Sequence, residues 1–173
     1  MTRFIFTVAL FAFAFTTVSA VTGARAAENP ELSGVARVID ADIIAIGKQR
    51  IILWGVDAPE RNQTCRLGGR EWGCWQAAAR NLQTLAEDRN VHCEPYGERD
   101  PLGRVFAVCH SGDVDIGQAM VKSGLARAYV KQSDLYAGVE KEAKSAKVGL
   151  WQNSAKSVAP WVWRLTKSRS LIR

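Results

Sequence analysis

From residue 34 to residue 57 the chain reads GVARVIDADIIAIGKQRIILWGVD, dense in Val and Ile and broken at Gly47-Lys48. β-Branched runs bounded by Gly and Asp are strand signals, so this stretch predicts two or three strands. A loop is expected over 57–69, and then the period changes. Over 71–87, Trp75, Ala78, Ala79, Leu82 and Leu85 recur at helical spacing and form one buried stripe. Two further strands are expected at 91–96 and 104–110, with the Gly97-to-Gly103 segment as a hairpin loop. A short helix over 116–123 stops at Gly124. A last helix over 135–148 turns Leu135, Val139, Ala143 and Ala146 inward, with Gly149-Leu150 as its C-terminal cap. Beyond it, Arg164, Lys167, Arg169 and Arg173 appear without an acid. Residues 165–173 are therefore expected to be a disordered basic tail, with a polyanion contact as the alternative. The order of strands, helix, strands and helices places the chain in the α+β class. It is either a small α+β domain or a closed five-stranded β-barrel with about three packed helices.

The first residues change this picture only by exclusion. Arg3 precedes an almost wholly apolar stretch over 4–18, and Ala24-Arg25-Ala26 has the small-x-small form of a cleavage site. Residues 1–26 are expected to be a secretory signal peptide, too short and too rich in Thr for a membrane span. Cleavage after Ala26 leaves 147 of the 173 residues, enough for one domain over 27–164. It also removes Arg3 and Arg25, taking the basic count from 23 to 21 against 17 acids, or about +4. A modest positive charge favours polyanions but is also ordinary for solubility. The expected product is a periplasmic or secreted monomer without stable membrane association.

Export permits disulfides, and the chain has four cysteines, Cys65, Cys74, Cys93 and Cys109. A hairpin centred on residue 101 sets Cys93 opposite Cys109, within the reach of a disulfide. That leaves Cys65 with Cys74, closing a short loop before a helix. Zinc is disfavoured. His92 and Cys93 point to opposite faces of one strand, and no C-x-x-C spacing is present.

The candidate chemistry lies in four acids. Asp40, Asp42, Asp57 and Glu60 fall within twenty-one residues, and carboxylate oxygens suit a hard cation such as calcium. Their spacing does not match an EF-hand loop. By themselves, carboxylates at strand ends are more often turn formers than ligands.

Five segments, in order, alter that balance: VIDADII, RIILWGVDAPE, DPLGRVFAV, IGQAMVKSGLARAY and VGLW. Together they resemble the staphylococcal nuclease (thermonuclease) family, over roughly residues 34–164. The resemblance implies an oligonucleotide/oligosaccharide-binding (OB-fold) barrel with three helices and calcium-dependent cleavage of DNA and RNA. Residue by residue, Asp42 and Asp57 fall on calcium ligands and the backbone carbonyl of Ala58 on a third. Glu60 falls on the carboxylate that orients or deprotonates the attacking water, and Arg104 on one of two arginines that grip the scissile phosphate. Tyr129 matches a tyrosine at the nucleotide pocket. The two disulfides resemble an exported bacterial branch of the family.

One position departs from the pattern. The family usually has Arg five residues before the Asp of its D-x-P-E motif, and here that residue is Ile52. Ala41 and Ile43 likewise replace a usual Gly and Thr. Arginines that stabilise phosphoryl-transfer charge are worth roughly 10³–10⁵ in rate. Attenuated activity is therefore expected unless another cation compensates. Arg50, two residues away on the same strand face, and Arg61, just past the motif, are the candidates. Three functions follow: an exported calcium-dependent phosphodiesterase acting on nucleic acid, a non-catalytic polyanion-binding module, or a periplasmic protein serving extracellular polysaccharide metabolism.

Overall fold

A computed structural model describes residues 32–170. The expected signal peptide lies outside them. Five strands form the barrel: β1 (Leu32–Asp40), β2 (Ile43–Ile46), β3 (Gln49–Leu53), β4 (Asn90–Pro95) and β5 (Val105–Ser111). They pair in the order β3-β2-β1-β4-β5, all antiparallel. A parallel pairing of β3 with β5 closes the ring. Among the described residues, closure leaves no long barrel-strand edge open to another chain. The β2–β3 hairpin turns at Gly47-Lys48, where Gly47 takes φ +57.

Four helices pack around the barrel: α1 (Cys74–Ala86), α2 (Ile116–Lys122), α3 (Ala137–Ala146) and α4 (Pro160–Ser170). Ala78, Leu82 and Ala86 of α1 and Ile116, Met120 and Val121 of α2 join Ile44, Ile51, Leu53 and Val91 in one core. Cys93 and Cys109 face each other across β4 and β5 and are disulfide-bonded inside that core. The second disulfide, Cys65–Cys74, ties the first residue of α1 to a small three-stranded sheet of Cys65–Leu67, Arg70–Trp72 and Ala155–Lys156. The sequence reading places only loop at the first of these.

Three local expectations differ from the structure. In α3 only the middle of the expected inward face is inside: Ala143 is buried and Val139 packs on the core, whereas Leu135 is 52% exposed and Ala146 is exposed. Tyr136, just before the helix, is buried instead, and its hydroxyl donates to the Asp115 carboxylate at 3.0 Å. Asp115 also caps α2 by accepting from the Gln118 N–H, so one carboxylate fixes both helices. The left-handed residue that closes α3 is Lys147 rather than Gly149. Gly149 is needed for another reason: a Cβ there would lie 2.3 Å from the Gly124 carbonyl oxygen.

The third difference is at the C-terminus. Residues 165–170, expected to be disordered, continue α4, while 171–173 lie outside the described residues. Pro160 opens the helix, where a missing N–H costs nothing and the ring presets φ. Its side chain is buried, and the next residue, Trp161, packs on Tyr129 with ring centroids 5.3 Å apart.

Candidate active site

Strand alternation builds the floor of the site. Ile51 and Leu53 of β3 face the barrel interior, so Ile52 between them faces outward. Its register neighbours are Ile43 on β2 and Phe106 on β5. These three side chains line a cavity of about 460 Å³.

The acids stand on its wall. β1 ends at Asp40, and Asp42 follows in the turn to β2. Asp57 lies on a two-residue strand, Val56–Asp57, paired with Arg127–Ala128. That pairing holds the start of the Asp57-to-Glu60 turn against the body of the protein. The Ala58 N–H donates to Asp42 Oδ2 at 3.3 Å, which brings the two segments together. Glu60 is fixed from behind by Gln63, which is buried. Gln63 accepts from the Glu60 N–H at 3.2 Å and donates to the Val158 carbonyl at 2.7 Å.

Clustering the acids perturbs them. Burial, then the charges of Asp57, Glu60 and Asp40, push the Asp42 carboxyl up to about 7, against the opposing Ala58 N–H. Asp57, also buried, is raised by loss of solvent and by Glu60, and is held back by Arg164. Burial and like charge thus both oppose ionisation of Asp42, while Arg164 partly offsets them at Asp57.

Two arginines line the cavity. Arg104, just before β5, is held by Asp100, with Nε donating at 2.6 Å to Oδ2. The Arg104 backbone N–H also donates to Asp100 Oδ1, so the hairpin loop fixes the side chain by both ends. The second is Arg164 of α4. Its Nη1 and Nη2 donate to Asp57 Oδ1 and Oδ2 at 2.9 and 2.8 Å, and Nη1 also reaches Glu60 Oε1 at 2.5 Å. The hydrogen bonds to Asp57 and then Glu60 hold its guanidinium above its usual pKa, outweighing partial burial.

Asp42, Asp57, Ala58, Glu60, Arg104 and Tyr129 all line this one cavity, together with Ile52. Arg50 does not. It is exposed on β3, nearer the β2–β3 turn. Arg61 is also turned away, stacked 4.3 Å over the Trp75 ring and 3.9 Å from Asp40. The cation on the acids is Arg164, which the sequence reading leaves at the head of an unstructured tail. A usable signal is present: Pro160 is a helix-start residue, and Trp161 and Trp163 are large apolar groups unusual in a disordered end. Gln63 carries no comparable signal.

Among the described residues, no three His, Cys, Asp or Glu side chains converge closely enough to hold a metal ion. The carboxylate donors of Asp42, Asp57 and Glu60 at the cavity are nonetheless hard oxygens, and an acid raised by burial and then by its acidic neighbours fits a divalent cation in kind. Arg164 now spans two of the three.

Comparison with known proteins gives this geometry a context. The model of the family described as Staphylococcal nuclease homologue matches residues 50–153. A succinoglycan biosynthesis protein of Rhizobium meliloti is 36% identical over 125 residues, covering 69% of this chain and 64% of the relative. A staphylococcal-like nuclease of Arabidopsis thaliana is 33% identical over 123 residues, 69% of this chain and 34% of the relative. An uncharacterized endonuclease of Haemophilus influenzae is 29% identical over 117 residues, 66% of this chain and 60% of the relative. The chain thus matches less than two thirds of the length of each of these three relatives.

Proposed function

Because this chain belongs to the staphylococcal nuclease homologue family, we propose that it is an exported, calcium-dependent phosphodiesterase acting on DNA or RNA as a monomer. The observation that carries this reading is the convergence of Asp42, Asp57, Ala58, Glu60 and Arg104 on one cavity. The Asp42 and Asp57 carboxylates and the Ala58 carbonyl would hold the cation. Calcium there supplies neutralisation of the charge that builds on the phosphate oxygens. Glu60 accepts the proton of the attacking water. Arg104, kept in place by Asp100, donates N–H groups to a phosphate oxygen. Tyr129, with Trp161 behind it, offers an aromatic wall to a nucleotide.

Ile52 adds no charge to the floor, so turnover is attenuated relative to a site with two phosphate-gripping arginines. Export agrees with the two disulfides and with the charged, apolar and small-residue order of the first 26 residues. No helix among the described residues is long and apolar enough to cross a membrane.

The deciding experiment incubates the purified mature protein with single- and double-stranded DNA and with RNA, in millimolar calcium and in chelator. Cleavage that needs calcium and disappears in Glu60→Gln and Asp57→Ala supports the proposal. Cleavage that continues in chelator, or survives Asp57→Ala, refutes it. A second reading is favoured by the relative named for succinoglycan biosynthesis and by the apolar floor of Ile43, Ile52 and Phe106. In it, the barrel serves extracellular polysaccharide metabolism. Binding of an acidic polysaccharide with no cleavage of any nucleic acid would select it.

A further inference from the structure

Arg164 uses the same oxygens that a cation at Asp57 would need. Its fork covers Oδ1 and Oδ2 of Asp57 at once, and the remaining Nη1 hydrogen goes to Glu60. Bidentate arginine–carboxylate pairing is among the strongest arrangements available to an ion pair, and here the Asp57 side chain is only 5% exposed. A hard divalent cation binds through carboxylate oxygen at about 2.3–2.6 Å and cannot share that edge of Asp57 with a guanidinium. We propose that Arg164 is a built-in competitor for the divalent cation, so that the Arg164–Asp57–Glu60 clamp and the cation-loaded site are alternative states of one cavity. This rests on the reading of the cavity as a metal-dependent site.

The placement of α4 suits a displaceable clamp. Pro160 anchors the start of the helix, and Trp161 packs on Tyr129. Beyond these, Trp163 is half-buried while Val162 and residues 164–168 are exposed, and Arg164 is the residue that ties this part of the helix to the acids. The Arg164 side chain is 45% exposed and reaches solvent without crossing the core. Tyr129 and Arg164 both line the cavity, so α4 reaches it directly through Arg164 and backs its Tyr129 wall through Trp161. Ile52 leaves the floor uncharged. No guanidinium rises from the floor, and the one that neutralises the acids comes instead from a peripheral element that can leave. Because binding is reciprocal, a cation that expels Arg164 must also loosen α4 to the same extent.

The test is a calcium titration by calorimetry at fixed ionic strength on the full mature chain and on Arg164→Ala, Arg164→Gln and Asp57→Ala. Circular dichroism first confirms that each is folded. Losing charged hydrogen bonds to a buried acid lowers the calcium concentration at half-saturation about tenfold or more in both Arg164 variants. Amide hydrogen exchange over residues 160–168 speeds up when calcium is added to the unaltered chain and is indifferent to calcium in Arg164→Gln. Asp57→Ala binds no calcium. Equal half-saturation in the unaltered chain and the two variants overturns the competition while leaving the metal site intact. Weaker binding in the variants, or an α4 that calcium protects, overturns it too and makes Arg164 a helper of the cation. Absence of calcium binding in all four proteins refutes the metal-dependent reading itself, and the competition with it.

Discussion

Replacing Asp42 by Asn should stabilise the calcium-free protein at pH 8. The carboxyl is pushed from 3.8 to about 7 in the folded state by burial and by Asp57, Glu60 and Asp40. A raised acid favours its protonated form, so between about pH 4 and pH 7 the folded state holds a proton that the unfolded chain has lost. Stability therefore falls as pH rises through that window, and the whole penalty is present above it. About three pH units at 1.36 kcal/mol each give about 4 kcal/mol. Partial exposure of Asp42 to solvent reduces this to about 2–3 kcal/mol. Asn keeps the shape and an oxygen able to accept from the Ala58 N–H, so little is lost in exchange. For a domain of this size the gain is roughly 6–12 °C in melting temperature. Asp57 is raised as well, and keeps part of the pH dependence in the variant. The assay is thermal unfolding of both proteins in chelator from pH 4.5 to 8.5. The difference should be largest at pH 8 and shrink to a small fraction of that toward pH 4.5. Millimolar calcium should reverse the order, because only the native carboxylate gains by mass action. An Asp42→Asn protein that melts no higher than the unaltered chain at pH 8, or a difference equal at both ends of the range, would refute the reasoning.

Ile52→Arg should raise nucleic-acid cleavage about 10²-fold or more, with the gain dependent on calcium and Glu60. Its folding cost should be small, because position 52 opens onto the cavity and not into the barrel. A folded, calcium-binding variant with no gain would remove Ile52 as the cause of attenuation. Peptide mapping without reduction should recover Cys65–Cys74 and Cys93–Cys109, and loss of the second bridge should cost about 3 kcal/mol in denaturant unfolding. Gly149→Ala should cost about 2 kcal/mol or more. It combines a positive φ of 54° with a Cβ placed 2.3 Å from the Gly124 carbonyl oxygen, and a melting temperature within a degree or two of the parent would contradict that.

Much of this was legible in the chain because it is local. Period-2 and helical apolar spacing locate the five barrel strands and helices α1 and α2, since a strand or helix must turn one face to the core wherever it packs. The Cys93–Cys109 bridge is equally local, because hairpin register follows from loop length. The acidic cluster Asp42, Asp57 and Glu60 could be named from the motif. What the motif does not contain is the neighbour that neutralises it. Arg164 lies 107 residues from Asp57 and meets it only because Pro160 and Trp161 dock α4 beside Tyr129. Just before α3, Tyr136 rather than Leu135 goes inside because Asp115, the cap of α2, accepts from its hydroxyl. Gly149 likewise answers to Gly124, on another segment. Sequence fixes which faces must be buried and which residue types can react. Which charge stands opposite which is a matter of distances through space, and only the closed tertiary structure decides it.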